Sequence, residues 1–252
     1  VQRALARLAA GRSAWNAADI RGEAERLIAA AGVVADAAVR IELAEDLTAR
    51  AMDRCMPLLD RGGVPEHIRA WTSRSVLEVE ADLTTRLAAR AAHGVPDTGP
   101  ALPVERVAAD GRLDAGQAAA VAALVGDRRL VVVEGAAGAG KTTTLAATRD
   151  LLEAQGRRLV VVTPTLKAAK VAAGEVGVAA GSAASLAFGH GWRWNDEGRW
   201  ARLTVGEDDP VTGGVYAGPS EAAQLRFGDL LLVDEAGMLD QDTARALLTV
   251  AD

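Results

Sequence analysis

Residues 135–142 have the composition of a phosphate-binding loop. They read Gly-Ala-Ala-Gly-Ala-Gly-Lys-Thr, in which the first and last glycines are separated by four residues and followed by lysine and threonine. Glycines let the backbone turn its N–H groups onto phosphate oxygens, Lys141 supplies a positive charge, and the Thr142 hydroxyl ligates Mg²⁺. The alternative is a turn in an alanine-rich chain. The predicted nucleotide-binding residues of the loop are Gly135, Ala136, Ala137, Gly138, Ala139, Gly140, Lys141, Thr142 and Thr143.

An acidic pair follows a second apolar run further along the chain. Residues 230–233 are Leu-Leu-Leu-Val, which predicts a buried strand, and Asp234 and Glu235 come directly after it. Downstream of a phosphate loop this is the Walker B arrangement, with Asp234 holding Mg²⁺ and Glu235 acting as general base. Lys141, Asp234 and Glu235 are therefore the predicted catalytic residues, and ATP and Mg²⁺ the predicted cofactors. Glu235 implies hydrolysis rather than nucleotide binding alone.

Gln117 is a candidate for adenine recognition. It lies on a predicted helix, residues 115–124, that ends at Gly126 just before the loop strand. A glutamine amide donates and accepts hydrogen bonds side by side, as an adenine edge requires. The alternative is an ordinary surface glutamine.

The loop is flanked by elements of an α/β fold. Residues 130–133 predict a strand, residues 142–153 a helix that closes at Gly156, and residues 158–163 a second apolar strand. A strand, a helix and a strand over this length form a parallel crossover. The predicted sheet is therefore parallel, with helices at its faces.

Hydroxyl and basic side chains follow the second strand. The sequence after it is Thr163-Pro-Thr165-Leu-Lys167, and Pro164 stops the strand. Because parallel sheets bind ligands at the carboxyl ends of their strands, this segment should share the edge of the phosphate loop and could grip a nucleic-acid backbone. The alternative is helix capping by Thr165 with solvated lysines.

Three tryptophans alternate with arginines between these strands. Residues 191–203 predict a β-hairpin with a four-residue turn at 195–198. Trp192, Trp194 and Trp200 could form a base-stacking platform or pack the hairpin onto the domain, and packing is the favoured interpretation. Residues 206–228 predict a long surface loop.

The first hundred residues read as helices followed by a linker. A Ser75–Glu78 capping box is expected at the start of the third helix. Asn16 or Asp19 is expected to cap the start of the first. Prolines and glycines mark the linker. The predicted helices cover residues 14–31, 36–54 and 76–92, and the predicted domains are a helical domain at 1–93, a linker at 94–106 and a P-loop domain at 107–252.

Composition excludes several classes of function. The net charge of −6 over 252 residues argues against an open basic surface for duplex DNA, although a local basic groove remains compatible with it. Cys55 is the single cysteine, so no intrachain disulfide or cysteine zinc cluster can form. His67, His93 and His190 are too far apart to suggest a local metal site. No apolar run is long enough to span a bilayer, which predicts a cytoplasmic protein without membrane insertion.

The three motifs together resemble the first motor domain of superfamily 1 helicases. The likeness is greatest to the helicase half of conjugative relaxases of the TraA/TraI type, and the motifs are also similar to the alpha subunit of exonuclease V. Residues 113–117 resemble the adenine-reading segment of that family, residues 67–80 resemble a segment that precedes the motor in conjugative relaxases, and residues 191–203 and 234–246 resemble actinobacterial members.

The resemblance implies a RecA-like sheet preceded by a small all-helical domain, in a motor that moves 5′ to 3′ on DNA. The ATPase residues would be Lys141, Thr142, Asp234 and Glu235, with Gln117 reading adenine. Single-stranded DNA is the implied partner, together with other conjugation proteins. The implied DNA contacts are Thr163, Thr165, Lys167 and Ser185.

The chain also departs from that family. The Gly-Asp-x-x-Gln segment, the second motor domain and a central strand between the loop strand and the 230–233 strand are not present, so the motor domain is expected to be truncated at its C-terminus, to bind nucleotide weakly and not to unwind DNA. No paired-histidine metal motif occurs, and Tyr216 is a poor candidate nucleophile. Two alternatives stay open: a stand-alone recombination helicase of the exonuclease V alpha class, and a P-loop module that switches a protein partner without DNA.

Overall fold

The structure is a computed structural model that describes residues 1–59, 63–65, 67–92, 113–136, 138–195 and 198–252. The predicted linker, residues 94–106, lies outside the described residues. The described residues form two compact units. The helical unit comprises Val1–Asp82, Trp192–Tyr216 and Asp240–Arg245, and the sheet unit comprises Leu83–Gly191, Ala217–Leu239 and Ala246–Asp252.

Helices predominate over strands in the described residues. The helices are α1 (Gln2–Ala9), α2 (Ala17–Ala30), α3 (Ala37–Met52), α4 (Arg74–Ala92), α5 (Ala115–Val125), α6 (Lys141–Ala154), α7 (Leu166–Val176), α8 (Ala183–Gly189) and α9 (Gln241–Ala251). The strands are β1 (Met56–Pro57), β2 (Trp71–Thr72), β3 (Leu159–Thr163), β4 (Ala180–Ser182), β5 (Trp192–Trp194), β6 (Trp200–Arg202) and β7 (Leu230–Val233).

The helical unit is built around a fully buried tryptophan. Trp15 has no exposed surface, and its indole N–H donates to the Cys55 sulfur at 3.2 Å. Its backbone exchanges hydrogen bonds of 2.9 and 3.1 Å with Trp71, which ties the entry of α2 to β2. Of the two caps predicted for α2, Asn16 is the N-cap, and it forms a capping box with Asp19 in which each side chain is bonded to the backbone of the other residue. The buried core of the unit consists of Leu5, Leu8, Trp15, Ile20, Ala51 and Val76.

The capping box predicted at Ser75 is wrong. Helix α4 begins at Arg74, and the hydroxyl of Ser73 accepts the N–H of Val76 at 3.4 Å. Ser75 instead shares a hydroxyl–hydroxyl contact of 2.9 Å with Ser73. The reason is the end of β2 at Thr72, because Ser73 is then the first residue free to leave the extended conformation and cap the helix.

The predicted hairpin is confirmed. Strands β5 and β6 pair antiparallel with Trp194 opposite Trp200, and these two rings stack at 4.6 Å with planes 24° apart. Residues 196 and 197 of the predicted turn lie outside the described residues. The stack lies within the hairpin, so packing of the tryptophans onto the rest of the domain stays a prediction.

The loop after the hairpin is held by a buried ion pair. The Arg193 guanidinium donates two hydrogen bonds to Asp209, of 2.9 and 2.6 Å, and both side chains are almost fully buried. The Val211 N–H and the Thr212 hydroxyl also donate to this carboxylate. Residues 206–228 contain no helix or strand, as predicted, but their conformation between Asp208 and Val215 is set by this pair and an isolated bridge.

The sheet unit contains a parallel sheet of three strands in the order β4-β3-β7. Val161 lies opposite Ala180 on one side and Leu232 on the other. Helices α5, α6 and α7 pack against it over an aliphatic core. The buried members of that core are Val121, Val125, Leu152, Leu159, Val161, Ala172 and Val176.

The strand predicted at residues 130–133 is wrong. These residues have no ladder partner among the described residues, and Val132 and Val133 are 77% and 47% exposed. β3 already has a neighbour on each side, so the loop segment could join the sheet only at the outer edge of β4 or of β7, where no described strand lies. The parallel crossover forms instead as β3-α7-β4, and β4 was not predicted.

The start of the sheet is fixed by two consecutive arginines. The Arg158 backbone N–H and its guanidinium both donate to Asp229, whose side chain is 4% exposed. These donors hold the pKa of Asp229 below its usual range, although its burial acts in the opposite direction. Arg157 donates to the carbonyls of Gly228 and Val125, each at 2.6 Å. Both arginines join the chain before β7 to the chain before β3.

A pH-dependent stability follows from the buried Arg193–Asp209 pair. The hydrogen bonds from Arg193 hold the pKa of Asp209 well below its usual range. A depressed carboxyl pKa contributes stability that is fully present above the unfolded pKa, about 3.9, and is lost as the pH falls below it. Asp209→Asn should therefore lower the melting temperature at pH 7, and the difference from the parent should shrink below about pH 4.

The measurement is thermal unfolding followed by circular dichroism between pH 7 and pH 2.5. Asp208→Asn is the matched control, because Asp208 is the exposed neighbour and the substitution removes the same charge. Equal melting temperatures for the two variants at pH 7 would contradict a stabilising role for the pair.

Candidate functional site

The phosphate loop has the backbone that its glycines predict. Gly138 and Gly140 have φ angles of +80° and +73°, in the left-handed region that only glycine adopts at low cost. Gly140 is the N-cap of α6, so the first N–H groups of a 14-residue helix open onto the loop. Ala137 lies outside the described residues.

Gly135 leaves room for the lysine. A Cβ at residue 135 would lie 3.4 Å from Cγ of Lys141, which shows that the lysine stem passes directly over this glycine. Lys141 is exposed, and in the described part of the chain it makes no ion pair. Its ammonium group is therefore available to an anionic ligand held by the loop.

Gln117 connects α5 to the phosphate loop. Asp114 and Gln117 form a reciprocal capping box of 2.8 and 3.0 Å at the start of α5. The Nε2 group of Gln117 also donates to the Ala139 carbonyl at 3.0 Å. An amide keeps one further hydrogen and one further lone pair in this arrangement, so adenine recognition by Gln117 stays a proposal.

The Thr142 hydroxyl already has a protein partner. It donates to Oε2 of Glu175, near the end of α7, at 3.1 Å. Ligation of Mg²⁺ by Thr142 therefore requires this hydrogen bond to be exchanged. Sequence reasoning missed Glu175, because nothing in the sequence links two residues 33 positions apart. Thr143 is exposed on the first turn of α6.

The acidic pair lies at the carboxyl end of β7. The Asp234 N–H donates to the Val162 carbonyl at 3.0 Å, which continues the β3-β7 ladder by one residue. Glu235 has φ +55° and ψ +39°, the one positive φ of a non-glycine residue among those described. Its N–H donates to the Asp234 carboxylate at 3.0 Å. Strained residues of this kind cluster at functional sites.

The contacts of the predicted nucleotide residues fall into two groups. Gly135, Gly140, Lys141 and Gln117 lie together at the loop, whereas Asp234 and Glu235 lie at the sheet edge. Across the described ranges no hydrogen bond or ion pair joins the two groups. The reason is that residues 130–133 are not paired into the sheet, so no ladder fixes the loop relative to β7.

The predicted DNA-contacting residues lie where two helices begin. Thr163 is fully buried, and its hydroxyl donates to the Thr165 carbonyl at 2.7 Å, so its side chain shapes the turn and presents no exposed atom. Thr165 caps α7 by accepting the Ala168 N–H. Lys167 is exposed.

Ser185 is exposed in the first turn of α8. Its backbone N–H donates to the hydroxyl of Ser182, which caps that helix. Thr163 and Ser182 are register partners in β3 and β4, so α7 and α8 begin at the same edge of the sheet. Direct DNA contact by Thr165, Lys167 and Ser185 stays a proposal.

Two negative findings apply to the residues that the structure describes. They contain no group of three or more His, Cys, Asp or Glu side chains placed to hold a metal ion. None of their helices is both long and apolar enough to cross a bilayer.

Comparison with known proteins identifies the family of the chain. Residues 112–252, more than half of the chain, match the family described as AAA domain. The chain belongs to the AAA domain family. The matched region of this AAA domain protein begins just before Asp114 and contains the phosphate loop, the parallel sheet and the acidic pair. The predicted α/β fold with a P-loop is confirmed at this level.

One relative of this AAA domain protein is the probable conjugal transfer protein TraA of Sinorhizobium fredii (strain NBRC 101917 / NGR234). The two are 35% identical over 132 residues, which are 51% of this chain and 11% of the relative. The chain thus spans about a tenth of the length of that protein.

Gly140→Ala tests the geometry of the loop. A Cβ at this position would lie 2.3 Å from Nε2 of Gln117, at a φ that alanine rarely adopts. We expect a lower melting temperature and a dissociation constant at least tenfold higher for a fluorescent ATP analogue with Mg²⁺. Gly174→Ala is the control, because open space surrounds that helical glycine.

The double variant Gly140→Ala/Gln117→Ala separates the clash from the backbone strain. Its melting temperature should fall by less than the sum of the two single variants, because the clash with residue 140 is absent once Gln117 is alanine, whereas the loss of the Gln117 hydrogen bonds is common to Gln117→Ala. An unchanged dissociation constant for Gly140→Ala would contradict phosphate binding by this loop.

Proposed function

We propose that this AAA domain protein is the ATP-hydrolysing motor segment of a DNA helicase, in the helicase half of a conjugative DNA-transfer relaxase that moves along single-stranded DNA. The observation that carries the proposal is the combination of a phosphate loop opening α6 with an acidic pair at the end of β7, in which Glu235 is held in a strained conformation. The partial likeness to a probable conjugal transfer protein supports the conjugative role.

The residues present suit a nucleoside triphosphate. Gly138 and Gly140 have the left-handed backbone that allows a loop to direct N–H groups at phosphate oxygens, and the Lys141 stem passes over Gly135. Thr142 and Asp234 would hold Mg²⁺, which neutralises charge on the β- and γ-phosphates when bound. Gln117 would orient the adenine while its second hydrogen bond keeps α5 attached to the loop.

Glu235 is proposed to accept the proton of the attacking water. Its carboxylate is exposed, and its backbone is fixed by the bond to Asp234 and by the 3₁₀ turn Ala236–Met238. A left-handed residue at the end of a strand redirects the chain sharply, so this side chain leaves the sheet in a direction that a regular strand would not give. That placement suits a base that must reach beyond the strand tip.

Glu235→Gln separates binding from hydrolysis. The change removes the base and keeps the size of the side chain, so we expect ATP turnover to fall by at least a hundredfold with an unchanged dissociation constant for ATP. Turnover is measured as phosphate release, and the dissociation constant by titration of a fluorescent ATP analogue. Both use the longest protein product that contains residues 1–252. Lys141→Ala should weaken ATP binding itself.

Glu235→Gly provides the structural control. It should also lose turnover, but it should raise the melting temperature, because glycine adopts this φ without the strain of about 1 kcal/mol. Turnover equal to the parent in Glu235→Gln would exclude Glu235 as the base.

DNA-stimulated turnover tests the proposed DNA contacts. We expect single-stranded DNA to accelerate ATP hydrolysis, and Lys167→Ala and Thr165→Ala to raise the DNA concentration needed for half-maximal stimulation severalfold. Lys167→Ala is the cleaner variant, because Thr165→Ala also removes the α7 cap. Arg128→Ala, an exposed arginine of the same unit, is the charge-matched control.

The same assay distinguishes the alternative functions. Stimulation that is unaffected by either change would exclude these contacts. No stimulation by DNA of any length would favour a P-loop module that acts on a protein partner. Stimulation without any linked DNA-nicking activity would favour a recombination helicase of the exonuclease V alpha class.

A further inference from the structure

The helical unit contains a cavity that the proposed motor chemistry does not use. Its volume is about 620 Å³, within the range of ligand sites, and it opens to solvent. It is lined by α1, the end of α3, the first turns of α4, the residues around β6 and the start of α9. All of these segments belong to the helical unit, so one compact body forms the cavity.

The described lining of this cavity is basic in an acidic protein. Five arginines line it against two carboxylates, whereas the whole chain has a net charge of −6. One carboxylate, Asp242, is ion-paired with Arg245 at 2.8 Å. The arginines of the cavity are Arg3, Arg54, Arg74, Arg199 and Arg245.

Arg54 and Arg74 carry the argument for an anionic ligand. Both are exposed, and neither makes a hydrogen bond or ion pair with its side chain in the part of the chain that the structure describes. They reach the cavity from different segments, Arg54 just after the end of α3 and Arg74 at the start of α4. Two guanidinium groups that form no ion pair with a protein carboxylate, in one concave site, suit phosphate oxygens.

The start of α4 adds neutral donors to the same cavity. Ser73 and Ser75 line it with their hydroxyl groups 2.9 Å apart, and the first turn of this 19-residue helix contains no acidic residue. Backbone N–H groups at a helix start favour anions in the same way as the arginines. The cavity therefore combines charged and neutral donors for a phosphate chain.

Trp200 adds an aromatic surface to these donors. Trp200 lines the cavity, and its ring is held in place by stacking on Trp194 at 4.6 Å and by an edge contact with Trp192 at 6.1 Å. Arginines that follow a backbone beside an aromatic ring are the combination that binds single-stranded nucleic acid, because bases stack while phosphates pair. An acidic peptide would use the arginines but not the ring.

We propose that this cavity, the arginine groove, is a binding site for single-stranded DNA, with Arg54 and Arg74 on the phosphates and Trp200 beneath a base. The inference rests on the proposed function for the choice of DNA, but the site is in a different unit from the phosphate loop and the sheet edge. It requires no nucleotide. The groove thus gives the chain a second DNA-binding site whose affinity for single-stranded DNA does not depend on the ATP cycle.

The test is fluorescence anisotropy of a labelled 20-nucleotide oligothymidylate, without ATP, at several salt concentrations. Arg54→Ala/Arg74→Ala should weaken binding at least tenfold and reduce the slope of log K against log salt by about 1.4, since each single-strand phosphate contact contributes about 0.7. Arg40→Ala/Arg129→Ala removes two exposed arginines outside the groove and should change neither quantity.

A second variant tests the stacking. Trp200→Leu should weaken binding severalfold and leave the salt slope unchanged, because stacking releases no counterions. Melting temperatures of all variants show whether the helical unit remains folded. If Arg54→Ala/Arg74→Ala is folded, its affinity and salt slope are sufficient to test the groove, even if Trp200→Leu is not folded.

Several outcomes would overturn the arginine groove. These are parental affinity and slope in Arg54→Ala/Arg74→Ala, no binding of the oligonucleotide at all, or competition by a 20-residue oligoglutamate as effective as by unlabelled DNA. The result also separates the two proposals. Binding lost only in Lys167→Ala would exclude the groove and leave the motor assignment intact, whereas groove binding without DNA-stimulated turnover would exclude only the motor.

Discussion

The parallel pairing of β3 with β7 is the constraint on which the candidate site depends. Two parallel strands from distant parts of the chain have no turn to set their register, so a specific contact must do so. The Asp229 carboxylate provides it by accepting the backbone and side chain of Arg158 and the backbone of Arg226. The hydrogen bond from Asp234 to Val162 follows from that register four residues later. The acidic pair is therefore placed by an ion pair at the opposite end of the strands.

Local sequence was sufficient for the elements whose signals are local. The apolar runs of β3 and β7, the Asn16–Asp19 cap and the Trp192–Arg202 hairpin were all predictable from composition and turn residues. The segment before the phosphate loop has equal β propensity but no described partner, because pairing is decided by distant residues. β4 was missed for the opposite reason. Its sequence, Ala-Gly-Ser, has little strand propensity, but it forms a strand by pairing with β3.

The candidate site likewise contains features that the sequence predicts and features that it does not. The phosphate loop and the Asp234-Glu235 pair can be recognised from the sequence, because residue type and spacing define both motifs. The contacts that position these residues do not. Gln117 reaches Ala139 across 22 positions and Thr142 reaches Glu175 across 33, and no local pattern predicts either bond. Thr163 matched a DNA-contacting motif, yet the strand that it ends buries its side chain. Motifs identify the reactive groups, whereas packing decides which of them reach a ligand.

The left-handed backbone at Glu235 constrains how this position can change over evolutionary time. Glycine and asparagine hold that conformation at lower cost, while β-branched residues are strongly disfavoured there. Descendants that no longer need the carboxylate should therefore drift toward glycine or asparagine and become more stable as they lose activity. A glutamate retained at this position marks a lineage in which selection for turnover still outweighs selection for stability.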